Sequence, residues 1–120
     1  MRSAYKDLPA YRTKDGSEIR EMMHPKVQGN SNQSLAEAIV MPSQTTELHL
    51  HKTSEELYHI SRGSGSMQLA EETFNVSPGD TVCIPANTPH RITNTSSHEK
   101  LVILCCCSPA YSHDDTYILD

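Results

Sequence analysis

The chain has 120 residues, which is the size of a single domain and leads us to expect no second catalytic module. Its formal net charge is −5, from 10 Lys and Arg against 15 Asp and Glu. Because the sequence has no basic run, the phosphates of a nucleic acid would be repelled, so we exclude nucleic acid as a partner. No apolar run approaches the ~20 residues of a membrane span, so we also exclude a membrane.

The cysteines do not form a disulfide framework. Cys105, Cys106 and Cys107 are consecutive, and the fourth cysteine is Cys83. Adjacent cysteines pair poorly, because a disulfide requires Cβ atoms that face each other. The amino terminus also lacks the apolar stretch of a secretory signal. We therefore expect free thiols and a cytoplasmic location.

The chain divides into an arm and one strand-rich domain. Residues 1–16 are polar and rich in turn signals, and we interpret them as an N-terminal arm that could pack on a partner subunit. Residues 17–120 form the predicted domain, with a C-terminal tail at 108–120. Short segments separated by Gly, Pro and Asn turns are typical of an all-β sandwich or barrel. The predicted strands are Glu18–Met22, Leu35–Met41, Thr46–His51, Glu56–Ser61, Ser66–Leu69, Thr73–Val76, Thr81–Ile84, His90–Asn94 and Lys100–Cys107.

Residues 47–94 contain a set of side chains that suits a metal ion. His49 and His51 are two positions apart, so in a strand they share one face and can reach one ion. The next strand begins at Glu55 and Glu56, which brings a carboxylate to the same point, and His90 follows a later tight turn. Three neutral imidazoles and a carboxylate suit a divalent first-row metal and leave positions open for substrate or water.

The spacing of these residues resembles the cupins, a family of small jelly-roll barrels. The first cupin motif is Gly, five residues, His-x-His, three or four residues, Glu, six residues and Gly. In this chain His49–His51 is followed by Glu56 and, after six residues, by Gly63, whereas Glu55 does not fit the spacing. The resemblance therefore points to Glu56 as the ligand. Ser43 stands where the motif opens with Gly.

The second cupin motif is also present. It is Gly, five residues, Pro-x-Gly, two residues, His, three residues and Asn, and it appears here as Gly79, Pro85, His90 and Asn94. Asn87 replaces the middle glycine, which we expect to be tolerated because Asn also accepts a left-handed backbone. The resemblance covers about residues 43–107.

The resemblance implies an all-β fold, a single-domain cupin jelly-roll barrel (double-stranded β-helix). It implies one divalent transition metal ion, which could be Fe, Mn, Zn or Ni, and a small-molecule ligand. The implied metal ligands are His49, His51, Glu56 and His90.

Alternation along the strands predicts the direction of other side chains. Tyr58 shares the face of Glu56, so it is the candidate catalytic residue for proton transfer, or else an aromatic that fills the barrel. His59 and Arg91 are expected to point outward. Three further histidines lie in turn-like contexts and are expected to be solvated: His24, His98 and His113.

The last predicted strand and the tail leave alternatives open. Cys105 and Cys107 share a face of the strand, so at least one thiol should face the interior. We interpret these thiols as small buried hydrophobes, the alternative being a further ligand or redox group. The tail around residues 111–115 could cover the mouth of the barrel or pack at a dimer edge, and we favour packing.

The resemblance leaves the reaction open, because cupins include dioxygenases, decarboxylases, isomerases, lyases, storage proteins and ligand sensors. Our leading hypothesis is a metal-dependent enzyme that acts on a small polar metabolite. Iron would give dioxygenase chemistry, and zinc or manganese would give Lewis-acid chemistry such as isomerisation, lysis or decarboxylation. The alternatives are a non-catalytic cupin that senses or stores a small ligand or metal, and a metal-free structural barrel.

The composition also bears on assembly. With no Trp, one Phe and five Tyr, the core must depend on Ile, Leu, Val, Ala, Met and the tyrosines. Such a core is thin, and a jelly roll has strand edges that require cover. We therefore predict a homodimer in which the N-terminal arm contributes to the interface.

Overall fold

The computed structural model describes residues 1–119. About half of the described chain forms β-strands, and the other regular elements are two short 3-10 turns at Tyr5–Asp7 and His113–Asp115. No helix in this part of the chain is long and apolar enough to cross a membrane. The strands are β1 (Ala10–Arg12), β2 (Glu18–Met23), β3 (Ser34–Val40), β4 (His49–His51), β5 (Glu55–Arg62), β6 (Gly65–Leu69), β7 (Glu72–Val76), β8 (Thr81–Ile84), β9 (His90–Asn94), β10 (Leu101–Ser108) and β11 (Thr116–Ile118).

Two antiparallel sheets form the jelly roll. A six-stranded sheet has the order β1-β2-β3-β10-β5-β8, and a five-stranded sheet has the order β11-β4-β9-β6-β7. The predicted all-β jelly-roll fold is therefore confirmed. Within the described residues the two sheets remain separate hydrogen-bonded ladders, so the barrel is closed by side-chain packing and not by a continuous cylinder of strands.

The alternation of side chains positions the core between the sheets. Along β3 and β10 every second residue is buried, and the two strands pair from Leu101 opposite Val40 to Cys107 opposite Ser34. Full burial of an Ile, Leu or Met side chain stabilises the fold by about 1.5–3 kcal/mol. The most deeply buried apolar side chains are Ile60, Met67, Ile84, Ile92, Leu101 and Ile103.

The tyrosines contribute less to this core than their number predicts. Tyr58 is buried in it, whereas Tyr5, Tyr11 and Tyr117 are exposed and Tyr111 is half-buried. The expectation that the tyrosines as a group fill the core is therefore wrong. Aliphatic side chains on alternating strand positions fill the space between the sheets instead.

Strand bounds differ from the prediction where pairing depends on distant parts of the chain. The predicted strand Thr46–His51 is regular only over β4, because the backbone N–H of Thr46 bonds to Ile92 O outside a regular ladder. Part of the N-terminal arm forms β1, which pairs with β2 of the same chain. Part of the C-terminal tail forms β11, which pairs with β4.

The turns adopt left-handed backbone conformations at the positions of the cupin motifs. Ser43 has φ of 64° and Asn87 has φ of 63°, so both positions where the family has glycine keep the conformation that glycine favours. Gly63 has φ of 83°, and a Cβ atom there would lie 2.5 Å from the carbonyl oxygen of Lys100. The turn between β5 and β6 thus requires glycine for two reasons.

Candidate metal site

Three imidazoles meet between the two sheets. His49 and His51 lie two positions apart on β4, and the β4–β9 pairing sets His49 directly opposite His90. The three side chains are 2%, 5% and 0% exposed, respectively. One ring nitrogen from each lies within 4.8 Å of the others, a grouping that could hold a metal ion.

Backbone carbonyls fix the orientation of two of these rings. Nδ1 of His49 lies 2.7 Å from Glu47 O, and Nδ1 of His90 lies 2.9 Å from Thr88 O. A carbonyl oxygen can only accept, so each Nδ1 carries the proton and donates it. In a neutral imidazole the lone pair is then on Nε2, the atom that faces the centre of the cluster.

The tail fixes the third ring in the same way. Nδ1 of His51 lies 2.9 Å from the hydroxyl oxygen of Thr116. That hydroxyl donates its own proton to Ser112 O at 2.8 Å, so it must accept from His51. All three imidazoles therefore have protonated Nδ1 atoms and Nε2 lone pairs directed inward.

Glu56 on β5 adds a carboxylate beside two of the imidazoles. Its Oε1 lies 3.1 Å from Nε2 of His51 and 3.5 Å from Nε2 of His90, and its Oε2 accepts a hydrogen bond from the Cys107 thiol at 3.4 Å. Oε1 and the His90 Nε2 are buried and have no hydrogen-bond partner in the described part of the chain. Neutral imidazoles with inward lone pairs cannot satisfy this oxygen, so the arrangement calls for a cation.

The ionisation of Glu56 depends on its burial and on the two histidines beside it. Burial alone would raise the pKa of this carboxyl, but hydrogen bonds from His51 and His90, and then the positive charge of these rings when they are protonated, lower the pKa to about 2. The pKa of His49 is lowered by its burial and by the neighbouring His90. This ring therefore favours the neutral form, which is the form that binds metal.

Tyr58 lies on the inward face of β5 with Glu56, as alternation predicts. Its ring meets the His90 ring edge-on, with the centroids 5.8 Å apart. Burial, and then the charge of Glu56, raise the pKa of the phenol well above its usual value. The hydroxyl therefore keeps its proton at neutral pH, so it can donate a hydrogen bond and is a poor base.

The two inward thiols are buried and favour the protonated form. Cys105 and Cys107 are both buried on the inner face of β10, as predicted. Burial, and then the nearby Glu56 carboxylate, raise the pKa of both thiols above the usual range. The protonated thiols pack as small buried groups, and Cys107 also donates to Glu56.

His49 and His51 line a small cavity of about 40 Å³. Tyr58, Cys105 and Cys107 line it from the six-stranded sheet, and Tyr111 and Thr116 line it from the tail. The Tyr111 ring lies edge-on to His51 with the centroids 5.7 Å apart. The tail therefore lines the cavity, which differs from the expectation that it packs at a dimer edge.

Three polar residues of this region were missed by the sequence analysis. The carboxylate of Asp15 lies 3.7 Å from Nε2 of His49, although the sequence places Asp15 in the polar N-terminal arm. Glu21 lines the cavity from β2, and burial raises the pKa of its carboxyl. Alternation with the inward Ile19 could have found Glu21. No local signal marks Thr116, which approaches His51 from the far end of the chain.

The remaining histidines follow the predictions with one exception. His59 points outward and its Nδ1 lies 2.8 Å from the hydroxyl oxygen of Thr81, while His98 and His113 are exposed. His24 is buried, with Nε2 2.8 Å from Tyr111 O, so its predicted solvation is wrong. The returning tail covers it. Arg91 is exposed and donates to Gln68, as expected.

Comparison with known proteins agrees with this geometry. A family model described as "Cupin domain" matches residues 36–107, which include all four predicted ligands. The chain is a cupin. This cupin is 50% identical over 120 residues to the uncharacterized protein MJ1618 of Methanocaldococcus jannaschii, and the match covers all of the chain and 95% of that protein.

Two solved structures have a similar fold. The polyketide cyclase RemF from Streptomyces resistomycificus has a TM-score of 0.82 at 21% identity, covering 100% of this cupin and 85% of RemF. Oxalate decarboxylase from Bacillus subtilis has a TM-score of 0.82 at 23% identity, covering 99% of this cupin but 32% of the longer enzyme. At these identities the likeness establishes the fold alone.

Proposed function

We propose that this cupin is a metal-dependent enzyme that acts on a small polar molecule. His49, His51, Glu56 and His90 hold one divalent ion, with Fe, Mn, Zn and Ni as the candidate metals. The observation that carries the proposal is the fixed orientation of the three buried imidazoles, each of which donates through Nδ1 and directs its Nε2 lone pair inward.

The electrostatics of the cluster support a bound cation. Three inward lone pairs and a buried carboxylate repel one another unless positive charge lies between them. Protonation of an imidazole could supply that charge, but burial opposes it, and the other rings add repulsion. A divalent ion satisfies all four groups together, including the otherwise unpartnered Glu56 Oε1 and His90 Nε2.

The cavity restricts the substrate to a small molecule. One water molecule needs roughly 10–15 Å³ of cavity volume. A cavity of about 40 Å³ therefore accepts only a few water-sized groups beside the ion. A bound metal ion would supply Lewis-acid or redox chemistry to such a group. The protonated Tyr58 hydroxyl is the candidate proton donor. Solved structures that share the fold of this cupin include a polyketide cyclase and an oxalate decarboxylase, which favours catalysis on small molecules.

A second function, storage or sensing of a metal or small ligand, is favoured by the cover over the cavity. Tyr111 and Thr116 from the tail line a cavity that is already small. This arrangement suits retention of a ligand. Turnover distinguishes the two functions: an enzyme converts a metabolite in a metal-dependent and Glu56-dependent manner, whereas a storage or sensor protein releases its ligand unchanged.

Elemental analysis of freshly prepared protein tests the metal site. We expect one equivalent of a first-row transition metal in the native chain and loss of that metal in His51→Ala. His59→Ala is the matched control, because His59 points outward from β5, and it should retain the metal. Absence of metal from the native protein, with no rise in melting temperature on adding Fe, Mn, Zn or Ni, would reject the proposal.

The metal identified selects the screen for turnover. Iron calls for oxygen-consumption assays, and zinc or manganese for isomerase and lyase panels. With any turnover found, we expect Tyr58→Phe to retain the metal but to lower kcat by about 10²–10⁴-fold. An unchanged kcat in that variant would leave Tyr58 as an aromatic that fills the barrel.

A further inference from the structure

The loop between β1 and β2 holds a carboxylate rigidly beside the imidazole cluster. Oδ1 of Asp15 accepts three hydrogen bonds, from Thr13 Oγ1 at 2.7 Å, Ser17 N at 2.9 Å and Ser17 Oγ at 2.6 Å. The loop is also tied to the chain just before β4, because Glu47 N donates to Asp15 O at 2.8 Å. Local and distant contacts therefore fix the position of this side chain.

The second oxygen of Asp15 faces the cluster. Oδ2 takes no part in the contacts that anchor Oδ1, and it lies 3.7 Å from Nε2 of His49. That distance is too long for a hydrogen bond, and Nε2 has no proton to donate, because Nδ1 of His49 donates to Glu47 O. The lone pair of His49 Nε2 and the anionic Oδ2 of Asp15 therefore face each other at the edge of the cavity.

The separation suits two ligands of one ion. Donor atoms about 2.0–2.2 Å from a first-row metal ion can be up to about 4.4 Å apart, and the 3.7 Å between Asp15 Oδ2 and His49 Nε2 lies within that limit. The ligand atoms of the three histidines lie within 4.8 Å of one another without Asp15, so coordination requires the carboxylate to move toward the ion. Glu56 approaches the cluster beside His51 and His90, whereas Asp15 approaches it beside His49. The two carboxylates thus lie beside different histidines of the cluster.

We infer that Asp15 is a further carboxylate ligand of the ion held by the three histidines and Glu56. This inference rests on the proposed metal site and goes beyond the four ligands that the cupin motifs supply. A second carboxylate gives the donor set a charge of −2, which balances a divalent ion. Carboxylates suit Mn(II), whereas imidazoles suit Zn(II), so Asp15 shifts the preference of the site toward manganese.

Asp15→Asn tests this role with little disturbance of the loop. The amide oxygen of Asn can still accept the three hydrogen bonds now made to Oδ1, while its NH₂ group replaces Oδ2. The test measures the Kd of Mn(II) and of Zn(II) by competition with a chelator, on metal-free native protein and on the variant. We expect Mn(II) affinity to fall at least about tenfold, and more than Zn(II) affinity.

Asp80→Asn is the matched control. Asp80 also accepts hydrogen bonds in a turn, from Ser77, but it is exposed and does not line the cavity. It should change neither Kd. X-ray absorption of the Mn(II) forms gives an independent readout, with one oxygen or nitrogen ligand of the protein lost in Asp15→Asn.

The outcomes separate the two proposals. Metal binding by the native protein with equal Kd values in Asp15→Asn overturns the Asp15 inference and leaves the metal site intact. Absence of metal binding by the native protein overturns both. If metal-free Asp15→Asn has a lower melting temperature than the metal-free native protein, Ser17→Ala distinguishes a lost ligand from a disturbed loop. It removes an anchor of Oδ1 but keeps the Asp15 carboxylate. The inference then requires Ser17→Ala to bind Mn(II) more tightly than Asp15→Asn.

Discussion

At the scale of single residues, the candidate site depends on which ring nitrogen of each histidine carries the proton. Two rings are set by backbone carbonyls, which substitution cannot remove. The third is set by the hydroxyl of Thr116, 65 positions away from His51 along the chain. Thr116 does not itself enter the predicted ligand set, so it is a positioning residue.

Thr116→Val replaces this hydroxyl by a methyl group of similar size. Nδ1 of His51 then loses its acceptor, so the ring is free to carry its proton on Nε2 or to rotate. We expect the affinity for the metal to fall about 10–100-fold. Chelator competition measures the change.

Two substitutions control this experiment. Thr116→Ser keeps a hydroxyl and should restore most of the affinity. Thr45→Val removes an exposed hydroxyl that bonds to Thr93, and it should leave the Kd unchanged. Equal Kd values for Thr116→Val and the native protein would show that the hydroxyl does not orient His51.

At the scale of elements, two connections position the strands that carry the ligands. The turn after β5 brings the chain back into β6, and the segment after β10 brings the tail across the cavity. In each connection, the structure predicts whether substitution of one residue raises or lowers the stability of the fold.

Gly63→Ala should destabilise the fold more than Gly29→Ala. Both glycines have positive φ, which costs an L-residue about 1–2 kcal/mol. Gly29 faces open space, whereas a Cβ atom on Gly63 would also lie 2.5 Å from the backbone oxygen of Lys100. Denaturant unfolding of both variants measures the difference, and equal losses would contradict the steric argument.

Asp115 anchors the tail to the turn between β4 and β5. Its carboxylate accepts hydrogen bonds from the backbone N–H groups of Thr53 and Ser54. Burial opposes ionisation of this group, but these hydrogen bonds lower its pKa below the usual 3.8. The charged form is therefore the one that stabilises the folded state.

Asp115→Asn should lower the melting temperature by a few °C at pH 7, since hydrogen bonds to a charged group contribute about 1.5–3 kcal/mol when protected and less in solvent. Because the folded pKa is depressed, this stabilisation is present above pH 3.8 and is lost as the pH falls through the lowered pKa. The difference between variant and native protein should thus shrink in acid. Thermal unfolding across this pH range measures the difference in melting temperature. A difference that grows in acid would contradict the predicted direction.

At the scale of the whole molecule, the outer face of the six-stranded sheet has apolar side chains that the described chain leaves partly exposed. Cys106 pairs with Leu35 on one side and with Leu57 on the other, and Leu57 is 40% exposed. Val102 and Leu104 continue this row along β10. We define the outer patch as Leu35, Leu57, Val102, Leu104 and Cys106.

We predict that the outer patch is covered in a homodimer, since contiguous exposed apolar surface marks interaction sites. Light scattering at micromolar concentration should report a dimer for the native protein and a monomer for Leu57→Arg. Val27→Arg is the control, because Val27 is exposed outside the patch and should not change the mass. A native monomer would contradict the prediction.

Much of the site was predictable because it depends on short-range periodicity. The spacing of His49 and His51 places both on one face of any strand, and the motif spacing selected Glu56 over Glu55, which proves to be exposed. The same alternation predicted the inward Tyr58 and the outward His59. These predictions need no knowledge of what packs against each strand.

By itself, the sequence determined the all-β class, because strand alternation and turn chemistry are local properties. The spacing of two motifs added the resemblance to the cupins, which implied a common site for His49, His51, Glu56 and His90. Only the tertiary structure placed Asp15 beside His49, brought Thr116 to His51 and buried His24 under the tail. The contacts of Asp15 and Thr116 join the two ends of the chain to its middle, and the contact of His24 joins the two ends to each other. No residue periodicity encodes such pairings, since they arise from the way the sheets and the tail close over one cavity.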